Sequence, residues 1–350
     1  SKFSSSESSI SITGGICFTS SKSDSSGFNP AVISPPVASL AGVYINQTTV
    51  YNEALGRMDA LMMLPETDRL LMKYQNKTAS ANGEFVFSPT LLPEGRSGAW
   101  FKNFTSFENV PLNNGPNVSS VGYGMLFGMD SALKPLGKGF EGYLTAYAGY
   151  NGSHQNYNQV GIYQNGGVFG LTGTAYKGKF FSALTANVGA SVGDAYNMYG
   201  TDNFTTLVAG IASKSGYNFE FLDGKFILQP SFMMSYTFAN TFEYQAASGV
   251  NMSSNPLNAL QIMPGIKLIG NLKNGWQPYL AANMIWNIMD AQRFYANDVP
   301  LPMMSVKPYV EYGVGLQRKW GERFTGFGQV MARGGGRNGV AMQFGFRWAF

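Results

Sequence analysis

From Ala99 to the C-terminus the chain alternates between apolar residues and small or polar ones. Its last stretch, VAMQFGFRWAF, sets the pattern. Val340, Met342, Phe344, Phe346, Trp348 and Phe350 form one parity, and Ala341, Gln343, Gly345, Arg347 and Ala349 the other. Successive strand side chains point to opposite faces, so this is a strand between two different surroundings. The pattern predicts strands at 98–109, 119–131, 138–150, 160–176, 179–193, 203–221, 225–239, 257–271, 276–288, 305–320, 323–333 and 338–350. In the tenth, Val306, Pro308, Val310, Tyr312, Val314 and Leu316 oppose Lys307, Tyr309, Glu311, Gly313, Gly315 and Gln317. In the second, Val121, Tyr123, Met125, Phe127 and Met129 oppose three glycines, Leu126 and Asp130. Twelve is an even number, as a closed antiparallel barrel requires.

Upstream the period changes. Residues 37–64 space Leu40, Val43, Tyr44, Val50, Tyr51, Leu55, Met58 and Met62 as one helix face, closed by Pro65. Asn46, Gln47, Asn52, Glu53, Arg57 and Asp59 interrupt that face, which makes the segment too polar for lipid. About 25 helical residues span roughly 38 Å, close to the height of a membrane barrel. Two readings fit, a surface helix on a soluble domain and a helix inside a polar pore. Residues 1–36 are Ser- and Gly-rich with too little core to fold alone, and 65–97 read as a linker into the first strand.

The connections are predicted to differ at the two ends. LDGK, NLKNG, WGER, GGGRN and KPLG carry short-turn chemistry, whereas 110–118, 151–159, 194–202, 240–256 and 289–304 read as long loops. Short turns at one end and long loops at the other match an outer-membrane barrel, whose short turns are periplasmic.

Composition supports this picture. Only 13% of residues are charged, against an ordinary share of about 25%, while Gly numbers 43 and aromatics reach 14%. No apolar run of about 18 or more residues occurs, which argues against a membrane-spanning helix. The net charge of +4 is spread along the chain, with no basic run to suggest nucleic acid. A single cysteine, Cys17, gives no intramolecular disulfide. The start at Ser1 is read as following either a removed signal peptide or an upstream part of a longer chain.

Candidate chemistry is sparse. His154, the one histidine, lies in NGSHQNYN beside Ser153, and adjacent residues rarely present the geometry of a nucleophile and its base. The glycine-rich GYGMLFG and GGGRNG open no helix, as a phosphate cradle must. Asp130, Glu141 and Glu311 are candidate lumen carboxylates, opposed by Lys102, Lys267, Lys307 and Arg347. Neither a metal-ligand cluster nor a cofactor motif is found, and no enzyme activity is expected.

A polar helix, a Pro-containing link, and twelve strands from GAWFKNF to the aromatic FGFRWAF together resemble the translocator domain of autotransporters, the type V secretion system. The resemblance covers about residues 37–350. It implies an all-β fold, a 12-stranded antiparallel transmembrane barrel at 98–350 in the outer membrane, with the 37–64 helix threaded through its lumen. It also implies export of an upstream passenger, here 1–36 at most, and as partners outer-membrane lipids, the barrel assembly machinery and periplasmic chaperones. Tyr44, Asn52, Glu53, Arg57 and Asp59 would belong to the pore-plugging helix, and Lys307, Glu311, Gln317, Gln343 and Arg347 would face the lumen. Val340, Met342, Phe344, Phe346, Trp348 and Phe350 would form the assembly signal. Arg57 is expected near Glu311, and Asp59 near an inward Lys or Arg. Some members cut their helix at an Asn-Asn pair; the pair here, Asn113-Asn114, follows the first strand instead. A porin-like channel and an outer-membrane hydrolase are the alternatives.

Overall fold

A computed structural model describes residues 29–70, 95–272, 275–321 and 323–350. Most of the serine-rich tail with Cys17, and most of the expected linker, lie outside the described residues.

Twelve long strands occur among the described residues: β1 (Gly98–Pro111), β2 (Asn117–Asp130), β3 (Phe140–Tyr157), β4 (Val160–Lys177), β5 (Phe180–Asn197) and β6 (Gly200–Tyr217). They continue as β7 (Phe226–Thr241), β8 (Leu257–Gly270), β9 (Trp276–Ala291), β10 (Tyr309–Trp320), β11 (Phe324–Gly335) and β12 (Asn338–Ala349). Each pairs antiparallel with its neighbours in sequence, and β1 pairs with β12 from Gly98↔Ala349 to Asn109↔Asn338, closing the barrel. Closure leaves no unpaired edge.

Alternation accounts for which side faces out. Val340, Met342, Phe344, Phe346, Trp348 and Phe350 are all exposed, while Arg347 is buried and Gln343 half-buried on the inner face. Phe127, Leu144, Phe169, Leu171, Val188, Met234, Val314 and Phe344 likewise point outward. A continuous apolar exterior of this extent far exceeds what a soluble monomer exposes. It suits a hydrocarbon surrounding.

The barrel is not uniform in height. β3 to β6 are 18 residues each, whereas β10 to β12 are 12. A tilted strand needs about 9–11 residues to cross a bilayer, so the β3–β6 wall stands well beyond it. This corrects the expected loops at 151–159 and 194–202. Both are strand, closed by the two-residue turns 158–159 and 198–199. Asn158 and Gln159 both take positive φ, 40° and 66°, the conformation that a tight hairpin's twist demands. GGGRN also sits at the opposite end from LDGK, NLKNG, WGER and KPLG, at the same end as the turns 158–159 and 198–199. It joins β11 to β12 at the end that holds 242–256 and 292–308, here the far end; β1 starts and β12 finishes at the near end.

The parity expected for β10 holds from Tyr309 to Gln317, but the strand begins at Tyr309. Val306 is therefore not outward: it is buried, with its N–H donating to Asp290 Oδ2 at 2.8 Å. Lys307 is half-buried and precedes the strand, so parity does not place it. The two long far-end connections also form a small sheet from Tyr244–Gln245, Asn251–Ser254, Phe294–Ala296 and Val299–Pro300, which no sequence pattern announced.

A continuous helical run threads the lumen: α1 (Ser34–Val37), a π-helical stretch (Ala38–Tyr44) and α2 (Ile45–Met62). It begins inside the stretch expected to be tail, with Pro35 and Pro36 in the first turn, where a missing N–H costs nothing. Leu40, Val43, Tyr44, Val50, Tyr51, Leu55, Met58 and Met62 are all buried, as their spacing predicted.

Candidate functional site: the occupied lumen

The helix runs from the far end to the near end. Its first part, from Ile33 to Ile45, packs with Val110, Tyr157, Ile162, Phe204 and Leu257, all at far-end levels. Its last turns, Leu55 to Met62, pack with Tyr143, Tyr176, Phe181, Ala183 and Met233 toward the near end.

Polar ties fix depth and rotation. Tyr44 donates to Asn287 Oδ1 at 2.6 Å, and Asn46 to the Gly152 carbonyl at 3.1 Å. Tyr51 reaches the Tyr236 carbonyl at 3.0 Å and the Thr237 hydroxyl at 2.9 Å. It gets there because β6 carries Gly210, where any Cβ would collide with the Tyr51 hydroxyl. Gly42 makes the reciprocal allowance on the helix, lying against Gln164 and Gln155. Every helix ends in carbonyls without intrahelical partners. Here barrel side chains supply the donors: Asn218 to Met62 O at 2.7 Å and Gln277 to Met63 O at 3.1 Å.

Charges follow the same logic, since a buried ion without a partner is very costly. Arg57 Nε lies 3.0 Å from Asp130 Oδ2, not near Glu311 as expected. Asp130 also accepts from Arg347 at 2.8 Å, Thr145 at 2.7 Å and the Trp100 indole at 3.1 Å. One carboxylate thus joins the helix to β1, β2, β3 and β12. Asp59 does meet inward cations, Lys214 at 2.8 Å and Lys267 at 3.8 Å. Lys102 pairs with Glu53 at 3.5 Å and donates to its carbonyl at 2.6 Å. Glu311 instead binds Arg333 at 3.1 Å and Asn283 at 3.0 Å. Glu141 and Gln317 are buried as well, the latter donating to Gln277 at 2.8 Å.

The helix is off-centre. Beside it lies a cavity of about 150 Å³ that spans the β10–β12 and β1 wall. Its helix side is a stripe of Asn46, Thr49, Asn52, Glu53, Gly56 and Ala60, polar or small at helical spacing. Among the described residues no group of three or more His, Cys, Asp or Glu could hold a metal ion.

The hydrolase alternative loses its pair in this geometry. His154 and Ser153 lie on opposite faces of β3. His154 stacks on Tyr163 outside with ring centroids 4.0 Å apart, and Ser153 is buried inside against Gln155 and Gln164.

The autotransporter beta-domain family model matches residues 99–330. The chain belongs to that family. Three solved structures share the fold of this translocator. The transport unit of the autotransporter AIDA-I from Escherichia coli superposes with a TM-score of 0.62 at 18% identity, covering 79% of this chain and 97% of that one. The translocator domain of NalP from Neisseria meningitidis gives 0.61 at 12% identity, covering 81% and 97%. The beta domain of the Bordetella autotransporter BrkA gives 0.59 at 16% identity, covering 73% and 100%. No curated protein sequence matches the chain. The protein is thus an outer-membrane barrel and an autotransporter translocator unit, and such barrels are transport units. Asn113-Asn114 lies in the β1–β2 connection, where Asn113 bridges to Ser305.

Proposed function

We propose that residues 98–350 anchor the protein in the outer membrane and carry a passenger, joined upstream of the helix, to the cell surface. Residues 37–64 then remain behind as a plug. The observation that carries this reading is a single helix that enters at the far mouth, runs down the lumen and ends at the near end, where β1 begins. That path is what a chain drawn outward through the barrel would leave. The far end, with its tall wall and small sheet, would face outside. Tyr44, Asn52, Glu53, Arg57 and Asp59 serve the plug, and Glu311, Gln317, Gln343 and Arg347 line its housing. The outward Val340, Met342, Phe344, Phe346, Trp348 and Phe350 act as lipid contacts and as the signal for the barrel assembly machinery, reached with periplasmic chaperones. Catalysis is no part of this role.

Fusing a reporter domain ahead of Ser1 tests it. Proteinase added to intact cells should remove the reporter while the barrel stays heat-modifiable on gels. A reporter retained in the periplasm beside an inserted barrel would overturn the reading. For the signal, Trp348→Asp should abolish insertion, since a lipid-facing charge alone costs at most about 2–4 kcal/mol. Normal surface levels would refute it.

A further inference from the structure

We propose that the cavity beside the helix is a second, anion-preferring ion path through the translocator, held shut at the far end by a charge cluster centred on Glu108. Glu108 accepts from Arg337 Nε at 2.6 Å and Arg337 Nη2 at 2.8 Å, and also pairs with Arg333. Arg333 passes on to Glu311 at 3.1 Å, and Glu311 accepts from Asn283 at 3.0 Å. Arg337 closes the string with a 3.1 Å bond to the Tyr309 hydroxyl. The string therefore crosses from β9 through β10 and β11, over β12, to β1. None of these bonds reaches the helix.

Its position is informative. The cavity follows β10 from Glu311 to Gln317 and β12 from Ala341 to Arg347. Six strand positions are roughly 20 Å along the strand, which at a tilt of about 40° is about 15 Å of height, over half of a barrel's apolar band of about 25 Å. Arg333 and Glu311 line the cavity toward the far end. Glu108 shares their cross-strand row, and Tyr309 and Arg337 lie at the far-end margin, at the start of β10 and in the β11–β12 turn. Along β3–β7 the helix itself fills the lumen with packed side chains. Along β10–β12 and β1 it does not, and there the charge cluster supplies the obstruction. Stability is a weak reason for such a cluster, because desolvating ions offsets most of their attraction. A seal is a sufficient one.

The lining also sets the preference. Six cations face the cavity, Arg57, Lys102, Lys214, Lys267, Arg333 and Arg347, against Glu53, Asp59 and Glu311. Adding Asp130, Glu108 and Arg337 behind that lining still leaves cations in excess. A low-dielectric wall focuses that field into the water-filled space and favours small anions.

The test is the full chain in planar bilayers under a KCl gradient, with chloride as the probe. Glu108→Gln combined with Arg337→Gln removes one charge of each sign and leaves Arg333 paired with Glu311. Expected is a severalfold rise in conductance with a chloride-selective reversal potential, still well below the conductance of a barrel lacking 37–64. A heat-modifiable double variant whose helix stays protease-protected and whose conductance equals the parent overturns the seal. A potassium-selective reversal overturns the anion preference. If the double variant fails to assemble, Arg337→Gln alone, which keeps Arg333 on Glu108, decides by the same two readouts. Reporter display on cells is measured separately, so failure here leaves the export role standing.

Discussion

The two walls of the lumen solve the same problem differently. The β3–β7 wall presents Tyr143, Tyr176, Phe181, Ala183, Ala212 and Met233 to Tyr51, Leu55, Met58 and Met62, and the contact is dry. The β10–β12 and β1 wall presents Arg333, Gln343 and Arg347 to Thr49 and Asn52 across a cavity, and only Lys102 reaches over to Glu53. A plug held by apolar packing all round would be a core, and a core is hard to traverse. A plug held by ions alone would be wet and leaky. Placing the apolar stripe of one helix against the taller wall gives adhesion, while the polar stripe keeps the remaining lumen hydratable. The teaching is that grip and passage are divided between faces of a single helix.

The largest break should come where both walls and the helix meet. Asp130 serves Arg57 from the helix and Arg347 from β12, with its side chain fully buried. Asp130→Ala leaves both guanidinium groups without this carboxylate, and removing one partner of a buried pair costs about 3–5 kcal/mol. The folded fraction in urea, read from gel mobility without heating, should shift accordingly. A midpoint like the parent's would mean that water already serves both arginines. On the dry wall, Tyr51→Ala removes a buried ring and the bonds to Tyr236 and Thr237, at about 3 kcal/mol. The barrel should persist while the helix leaves more often. A cost of that size raises the plug-out population about 100-fold, seen as frequent large openings in planar bilayers. Rare openings at the parental rate would place the grip elsewhere.

How legible this was depended on what each face meets. Alternation identified every barrel strand where one face meets lipid, and it set the inside of β2 and β12 correctly. It stopped short at the tops of β3, β5 and β6, because beyond the bilayer the outer face is wet too. Gly152, His154 and Asn156 face outward there, so the stretch resembled a loop, and Asn-Gln lacks the usual Asn-Gly signal for a tight turn. At β10 the alternation ran three residues past the strand and misassigned Val306. Helical spacing found the buried face of 37–64, yet not Arg57's partner. That choice depends on depth and rotation, which ties such as Tyr51 to Gly210 set, and neither residue announces the other. The small far-end sheet was invisible because its strands are only 2–4 residues long.

A sharper version of the comparison uses thiol chemistry in a Cys17→Ser background. Asn52 lines the cavity and Leu55 is fully buried against the dry wall, less than one helical turn away. Asn52→Cys should react with a small charged thiol reagent at least about tenfold faster than Leu55→Cys, since the latter must wait for a local opening of a kcal/mol or more. Equal rates would mean that the helix rotates freely in the lumen.

The smallest effect is expected from Asn52→Ala, and its smallness is the point. Asn52 is half-buried, borders the cavity, and sits mid-helix, where alanine is favoured by up to about 0.7 kcal/mol. Solvated substitutions away from caps and cores stay within about 0.5 kcal/mol. The two together give a urea midpoint equal to the parent's or slightly higher, with unchanged plug-out frequency. Leu55→Ala, by contrast, loses buried contacts and should cost about 2–5 kcal/mol. A loss of 2 kcal/mol at Asn52 would show that its amide is held by the β10–β12 wall, the cavity would then be closed in solution, and the division between a dry and a wet side of the helix would fail.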